Sequence, residues 1–310
     1  MNTSNLGKLS HSALQTLRSC PRKFELDRLE YQPRDAGTAH TAFGHALGAG
    51  IQSLFHKGDL DIALFEAFNA WSCDLFDDIP GKKKSFFDAM IAIEKFYITQ
   101  FPLMDEWELA YLKDGKPAIE LGFAIRLPMN FWYRGFVDAV LKHKKTGALR
   151  VLELKSTGAF TVHESMYGKS FQGVGYSIIL DSISTQMNVV SDYEVLYLVY
   201  KTASRTFEEM PFLKLISHRI NWLHDLLLSV DMIALYKRVG RFPQNGDSCF
   251  SFGRPCKYYE TCDISNDTLF LGFTSTEEEF DPTTFDFVFD YSDLVRNQST
   301  NIKEQIRTTS

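Results

Sequence analysis

Asp138, Glu153 and Lys155 are the residues whose types and spacing carry the clearest chemistry in this chain. The midpoint between Asp138 and Glu153 falls at Lys145 and Thr146, inside the polar stretch His143 to Gly147, which reads as a hairpin turn. Folded about that turn, the two carboxylates face each other across adjacent strands, close enough to share a divalent cation. Lys155 follows Glu153 by two residues, so both side chains leave one face of the strand while Leu152 and Leu154 enter the core on the other. Two hard oxygen ligands beside an ammonium group suit phosphodiester hydrolysis. A cation polarises the phosphoryl oxygen and acidifies a water, and Lys155 orients that nucleophile or offsets charge in the transition state. An ordinary half-exposed hairpin with charges at alternate positions carries the same residue types, so the surroundings have to decide.

Cysteine spacing offers a second chemistry. Cys249, Cys256 and Cys262 form Cys-x6-Cys-x5-Cys in a segment with Pro243, Gly246, Gly253 and Pro255, a loop composition able to wrap around a ligand. Cys20 stands near the other end of the chain, in Ser-Cys-Pro-Arg-Lys-Phe. In a reducing compartment, clustered thiols read as metal ligands and not as disulfides. Four thiolates suit zinc or an iron–sulfur cluster, and this spacing lacks the paired Cys-x2-Cys of a zinc ribbon. Cys73, with no partner on an amphipathic helix, reads as a small buried hydrophobe.

The elements that must position these groups follow from periodicity. Ser10 reads as an N-cap, and Leu14, Leu17 and Phe24 lie on one stripe of a first helix from Ser12 to Leu29. His40 to His56, Ile62 to Phe76 and Ser85 to Phe101 read as further helices, the last two parted by the turn at Ile79-Pro80-Gly81. The period then changes. Ala118 to Leu127, Tyr133 to Leu141 and Leu149 to Leu154 are short, β-branched and apolar, as strands are. A helix over Lys169 to Ser184, a strand over Tyr193 to Thr202 and a long helix from Phe212 to Val239 complete the pattern. Helices, antiparallel strands, helix, strand and helix in that order predict an α/β fold with a mixed central sheet flanked by helices, a helical N-terminal layer and a cysteine-rich C-terminal loop.

With the elements in place, the motifs line up. Gly135 to Asp138 spell Gly-Phe-Val-Asp, Glu153 and Lys155 stand in Val-Leu-Glu-Leu-Lys, and Gln172 and Tyr176 lie one turn apart on the next helix. This resembles the RecB-like nucleases of the PD-(D/E)XK superfamily, and so implies a restriction-endonuclease-like fold. The resemblance implies that Asp138 and Glu153 bind Mg2+ or Mn2+, that Lys155 is the catalytic lysine, and that Gln172 and Tyr176 support the site or contact DNA. That family also carries a histidine in Phe-Gly-x-x-x-His on an early helix. Here Phe43 and Gly44 fit, Gly48 stands in the histidine position, and His45 lies one turn earlier as a candidate for the same metal. Glu120 is a further candidate acid.

The cysteines resemble the split ligand set of iron–sulfur RecB-like nucleases, AddB and the CRISPR-associated exonucleases among them. The resemblance implies a 4Fe-4S cluster on Cys20, Cys249, Cys256 and Cys262 that ties the two ends of the chain together. Leu9 to Leu14, Cys20 to Phe24 and Gly253 to Cys256 strengthen it, while the commoner spacing has two residues, not six, between the second and third ligands. It covers about residues 9 to 265.

Composition bounds the rest. The chain of 310 residues is 45% hydrophobic, enough for one large core, and the expected division is a nuclease domain over 1–270 and an acidic tail over 271–310. The net charge is −6, but the tail holds eight acids against three bases, a local −5, so the preceding residues carry only −1. Local basic groups, Arg18, Arg22, Lys23, Arg28 and Lys82 to Lys84, are the candidates to attract DNA phosphates. The tail's composition predicts weak order. No apolar stretch reaches the length of a membrane span, and Met1 to Ser10 lack the pattern of a secretory signal. The expectation is a cytoplasmic DNA exonuclease of a bacterial or phage-infected cell, working with recombination or replication proteins. A structure-selective endonuclease and a catalytically silent DNA-end-binding module are the alternatives.

Overall fold

The computed structural model describes residues 4–29, 39–72, 84–184, 187, 191–251, 254–269 and 280–299. Cys73, Phe76, Lys82, Lys83, Gly253 and the acids Glu277 to Glu279 lie outside them. From the N-terminus come β1 (Lys8–Leu9), α1 (His11–Ser19), α2 (Pro21–Arg28), α3 (Ala39–Lys57) and α4 (Leu60–Asn69). Next are α5 (Phe86–Thr99), α6 (Phe101–Glu106), β2 (Trp107–Leu109), β3 (Ile119–Arg126), β4 (Trp132–His143) and β5 (Leu149–Thr157). Then follow α7 (Phe171–Ser184), β6 (Ser191–Lys201), β7 (Thr206–Leu213) and α8 (Ile216–Val239). The short pair β8 (Phe250–Ser251) and β9 (Arg254–Pro255), α9 (Asn266–Leu269) and β10 (Phe287–Asp290) come last. The described residues form two compact units, one from within 35–121 and 136–219, the other from within 1–34, 122–135 and 220–303.

In the first of these units β4, β5, β6 and β7 are neighbours in that order, antiparallel, parallel and antiparallel in turn, with β2 antiparallel to β4. The fold is therefore the expected mixed α/β type. Alternation along the strands sends Ala139, Leu141, Leu152, Leu196 and Leu198 into a core with Phe43, Ile51, Ala63, Ile93 and Phe96 from α3, α4 and α5. The other face, carrying Glu153 and Tyr197, meets α7. There Gly173 has no side chain because a Cβ would fall 2.4 Å from the Tyr197 hydroxyl. α5 starts where the Ser85 hydroxyl accepts the Asp88 N–H at 3.1 Å and the Asp88 carboxylate accepts the Ser85 N–H at 3.4 Å, a reciprocal cap.

One expectation for this region changes. Thr206–Leu213 is a strand paired along its length with β6, so α8 begins at Ile216 and not at Phe212. Phe207 and Phe212 pack on the β6 rings Tyr200 and Tyr197, and this cross-strand packing outweighs the helix-like pattern that follows. Lys214, fully buried just after β7, donates to the carbonyls of Tyr167 (3.2 Å) and Gly168 (2.8 Å), and so holds the connection between β5 and α7. Burial pulls its ammonium down to a pKa of about 8.

The second unit brings the N-terminal helices together with the segments after α8. The first helix is broken into α1 and α2, because Pro21 offers no N–H and forces Cys20 into extended backbone (φ −157°, ψ 105°). Arg22 is buried and donates to Glu25 (2.5 Å), to Asn266 (2.5 Å) and to the carbonyls of Cys262 (3.0 Å) and Ile264 (2.7 Å), so one guanidinium joins α2 to residues 240 and more positions away. Within the acidic tail, the described residues 280–299 depart from the expectation of weak order. β10 pairs in parallel with β3, Asp286 accepts the Gly122 N–H at 2.9 Å, and Leu294 and Gln298 are buried in the helical stretch 291–299. Phe287 and Leu294 give this stretch apolar anchors that net charge alone conceals.

Candidate active site

The β4–β5 turn holds as a local structure. His143 Nδ1 accepts the N–H groups of Lys145 and Thr146, and Gly147 takes the left-handed conformation (φ 74°) that closes the hairpin. The strands pair from Lys142 with Leu149 up to Ala139 with Leu152, and the pairing ends there, one residue short of Asp138 and Glu153. Beyond Ala139 the Asp138 carboxylate, and not the main chain, takes the next N–H of β5, that of Leu154, at 2.9 Å. Leu152 and Leu154 face the core, as expected, and Glu153 and Lys155 face α7.

A chain of polar contacts crosses that face. Lys155 Nζ lies 2.5 Å from Glu153 Oε1 and donates to Gln172 Oε1 at 3.0 Å, while Gln172 Nε2 donates to the Tyr176 hydroxyl at 2.8 Å. The i,i+4 spacing of Gln172 and Tyr176 on α7 makes the last contact possible. Glu153 is only 1% exposed, and its second oxygen, Oε2, has no hydrogen-bond partner. Burial pushes the Asp138 carboxyl well up, and the charges of Glu153 and Glu120 push it further, against the opposing Leu154 N–H. Burial likewise raises Glu153, with Lys155 acting against the shift. Burial alone would lower Lys155, but the adjoining Glu153 and Asp138 outweigh it and raise the ammonium.

One residue escaped sequence reasoning. Gln52, buried on α3, spends both amide hydrogens on this site, one on Glu120 Oε1 (2.7 Å) and one on the Asp138 carbonyl (2.9 Å). Glu120 itself sits in the left-handed region at φ 47°, an arrangement met at functional positions. The helical spacing of Gln52 from Gly48 is the one signal that marks it in the sequence, since both share a face with His45. His45 is exposed, and among the described residues no hydrogen bond or ion pair joins it to Asp138 or Glu153. At Gly48 a Cβ would meet nothing within 4 Å, so the position is open.

In the other unit Cys20, Cys249, Cys256 and Cys262 line one cavity together with Lys23, Gln244 and Tyr258. Cys20 comes from the α1–α2 joint and the rest from the segment after α8, where the Cys256 N–H donates to the Cys249 carbonyl at 2.7 Å. Asn245 Nδ2 and Ser248 Oγ both donate to the Ser19 carbonyl, at 2.7 and 2.8 Å, which seats that segment beside Cys20. Burial raises the Cys262 thiol, and Asp263 and the other three cysteines raise it further. Among the described residues no three His, Cys, Asp or Glu side chains form a group drawn together around a single ion. No helix among them is long and apolar enough to cross a membrane.

No curated protein matches the chain. A solved structure from Eubacterium rectale, provisionally named an exonuclease, aligns over 89% of this chain and 92% of its own at 11% identity, with a TM-score of 0.47. The family model of the PD-(D/E)XK nuclease superfamily matches residues 8–263, a span that holds Asp138, Glu153, Lys155 and all four described cysteines. The chain belongs to the PD-(D/E)XK nuclease superfamily.

Proposed function

We propose that the protein is a metal-dependent DNA exonuclease of the RecB-like type, with Asp138 and Glu153 as the ligands of Mg2+ or Mn2+. The observation that carries this reading is the Glu153 carboxylate, buried, with Oε2 unpartnered and facing a second carboxylate whose pKa is pushed up. Two hard oxygen donors that repel each other out of water fit a divalent cation, which relieves both the repulsion and the missing bond. When bound, the cation supplies Lewis-acid polarisation of the phosphoryl oxygen and a water of lowered pKa.

The chain's own residues do the remaining work. Lys155, held between Glu153 and Gln172, presents its ammonium on the same face as the carboxylates and offsets the charge that develops on the phosphoryl oxygens. Gln172 fixes the Lys155 rotamer, and Tyr176 in turn fixes Gln172. Gln52 holds the Asp138 main chain from the α3 side.

We infer further that Cys20, Cys249, Cys256 and Cys262 hold a 4Fe-4S cluster that braces the α1–α2 joint against the segment after α8. A cubane takes one thiolate per iron, and the reading is supported by the four thiols lining one cavity. Purified protein should then be brown, with iron and acid-labile sulfide in roughly equal amounts. A colourless zinc protein would reject the cluster and leave the nuclease reading untouched.

End-labelled linear DNA and covalently closed circular DNA, each incubated with Mn2+, Mg2+ or EDTA, test the activity. Metal-dependent loss of the linear substrate with the circle intact is the expected result. Cutting of the circle would make the protein an endonuclease, and no cutting of either would make it a DNA-end-binding module. Trimming of ends is a step of recombination and replication, which makes proteins of those processes the expected partners.

A further inference from the structure

We propose that Lys84 binds a backbone phosphate of the DNA next to the one held at Lys155; this rests on the nuclease reading above. Lys84 stands in the turn before α5, immediately ahead of the Ser85 cap. Its backbone is in the left-handed region (φ 79°), where glycine is at ease and a side chain is strained. Strain of this kind persists where the side chain is needed in a fixed place.

The side chain points to a phosphate as the thing it serves. Lys84 Nζ donates to the Ser156 carbonyl at 3.3 Å and lies 5.9 Å from the centre of the Phe43 ring. Both are weak partners for an ammonium, and among the described residues no carboxylate pairs with it. Half-burial lowers its pKa, so the ammonium is partly desolvated where it stands. Neighbouring cations differ: Lys201 pairs with Glu208 and Arg205 with Asp88. Lys214, with no carboxylate partner among the described residues, is sealed from solvent and donates to two carbonyls, which makes it structural.

Position supplies the remaining argument. Ser156 directly follows Lys155 on β5, and the two ammonium groups approach the end of that strand from opposite sides, Lys155 from the α7 face and Lys84 from the Phe43 side. A DNA strand offers a phosphate about every 3.4 Å of helix axis, so a strand crossing the end of β5 presents successive anions to the pair.

The test is the salt dependence of KM for Mn2+-dependent cleavage of an end-labelled duplex, measured on the full chain. Lys84→Gly removes the charge and relieves the left-handed strain. Its melting temperature should equal or exceed the parent's, while KM at low salt rises roughly three- to tenfold and the slope of log KM against log salt falls by about 0.9. Lys84→Gln, which keeps a side chain should the glycine loosen the turn, should show the same KM and slope, and Lys84→Arg should restore both. Parental KM and slope in Lys84→Gly and Lys84→Gln, or an arginine variant no better than glutamine, would overturn the assignment. A parent that cuts no DNA overturns the nuclease reading, and this inference with it.

Discussion

The Asp138 carboxylate takes the main-chain N–H of Leu154 at 2.9 Å, so the residue between its two strand partners, Glu153, is presented beside it on one face. A side chain has replaced a rung of the ladder. The carboxylate is thereby locked by the strand that carries Glu153 and Lys155, and local geometry leaves the three groups little freedom to separate.

Neutralising Glu153 should separate catalysis from folding. Glu153→Gln keeps the shape and removes a charge that burial disfavours, which offsets the loss of the Lys155 ion pair, so the metal-free variant should still fold. Cleavage should fall by about a hundredfold or more, the scale of losing one electrostatic group at a reaction centre. Mn2+ should raise the parent's melting temperature and leave the variant's nearly unchanged. A variant that cut DNA at the parental rate would end the assignment of Glu153.

Gln52 is predicted to matter as a double donor. Gln52→Leu leaves the Asp138 carbonyl without its bond and frees Glu120, at a cost of about 1–3 kcal/mol in denaturant unfolding. Gln52→Glu should be worse at neutral pH, because it brings another negative charge to Asp138, Glu153 and Glu120 and has no pair of N–H groups to give. Equal stability of Gln52→Glu and the parent at pH 8 would rule out this role.

Arg22 and Cys20 serve the same unit by different means. Arg22→Met strands the buried Glu25 carboxylate and cuts the links to Asn266, Cys262 and Ile264, which should cost about 3–5 kcal/mol whether or not iron is bound. Cys20→Ala should cost more in iron-loaded protein than in iron-free protein, since only the former loses a ligand. Equal losses in the two preparations would mean that Cys20 acts by packing alone.

Lys214 should print a pH dependence on stability. Its folded pKa is about 8 against an ordinary 10.5, so between those values the unfolded chain binds more protons than the folded one. Stability therefore rises with pH across that window, as the folded state sheds a buried charge that penalises it fully below pH 8. Relative to Lys214→Met, which cannot titrate, the parent should gain up to on the order of 3 kcal/mol by pH 10.5, read from urea unfolding at each pH. A constant difference between the two across the window would show that Lys214 titrates normally.

What the sequence by itself determined is what short-range geometry determines. A hairpin folded about His143 to Gly147 must set Asp138 opposite Glu153, a strand must put Glu153 and Lys155 on one face, and a helix must stack Gln172 under Tyr176. Each relation depends on a period or a turn a few residues long; the folded chain shows the Lys155–Glu153 and Gln172–Tyr176 contacts and the hairpin pairing as far as Ala139 and Leu152. The break at Pro21 was written in the same local code, since proline both lacks the donor and restricts Cys20, although the apolar stripe runs through it. Tertiary structure alone decided the rest. Gln52 reaches Glu120 across 68 positions and the Asp138 carbonyl across 86. Thr206–Leu213 is a strand because β6 offers it an edge, and Phe287–Asp290 is one because β3 does. Such pairings come from surfaces that exist only after the elements have packed, and no local period records which distant segment will meet them.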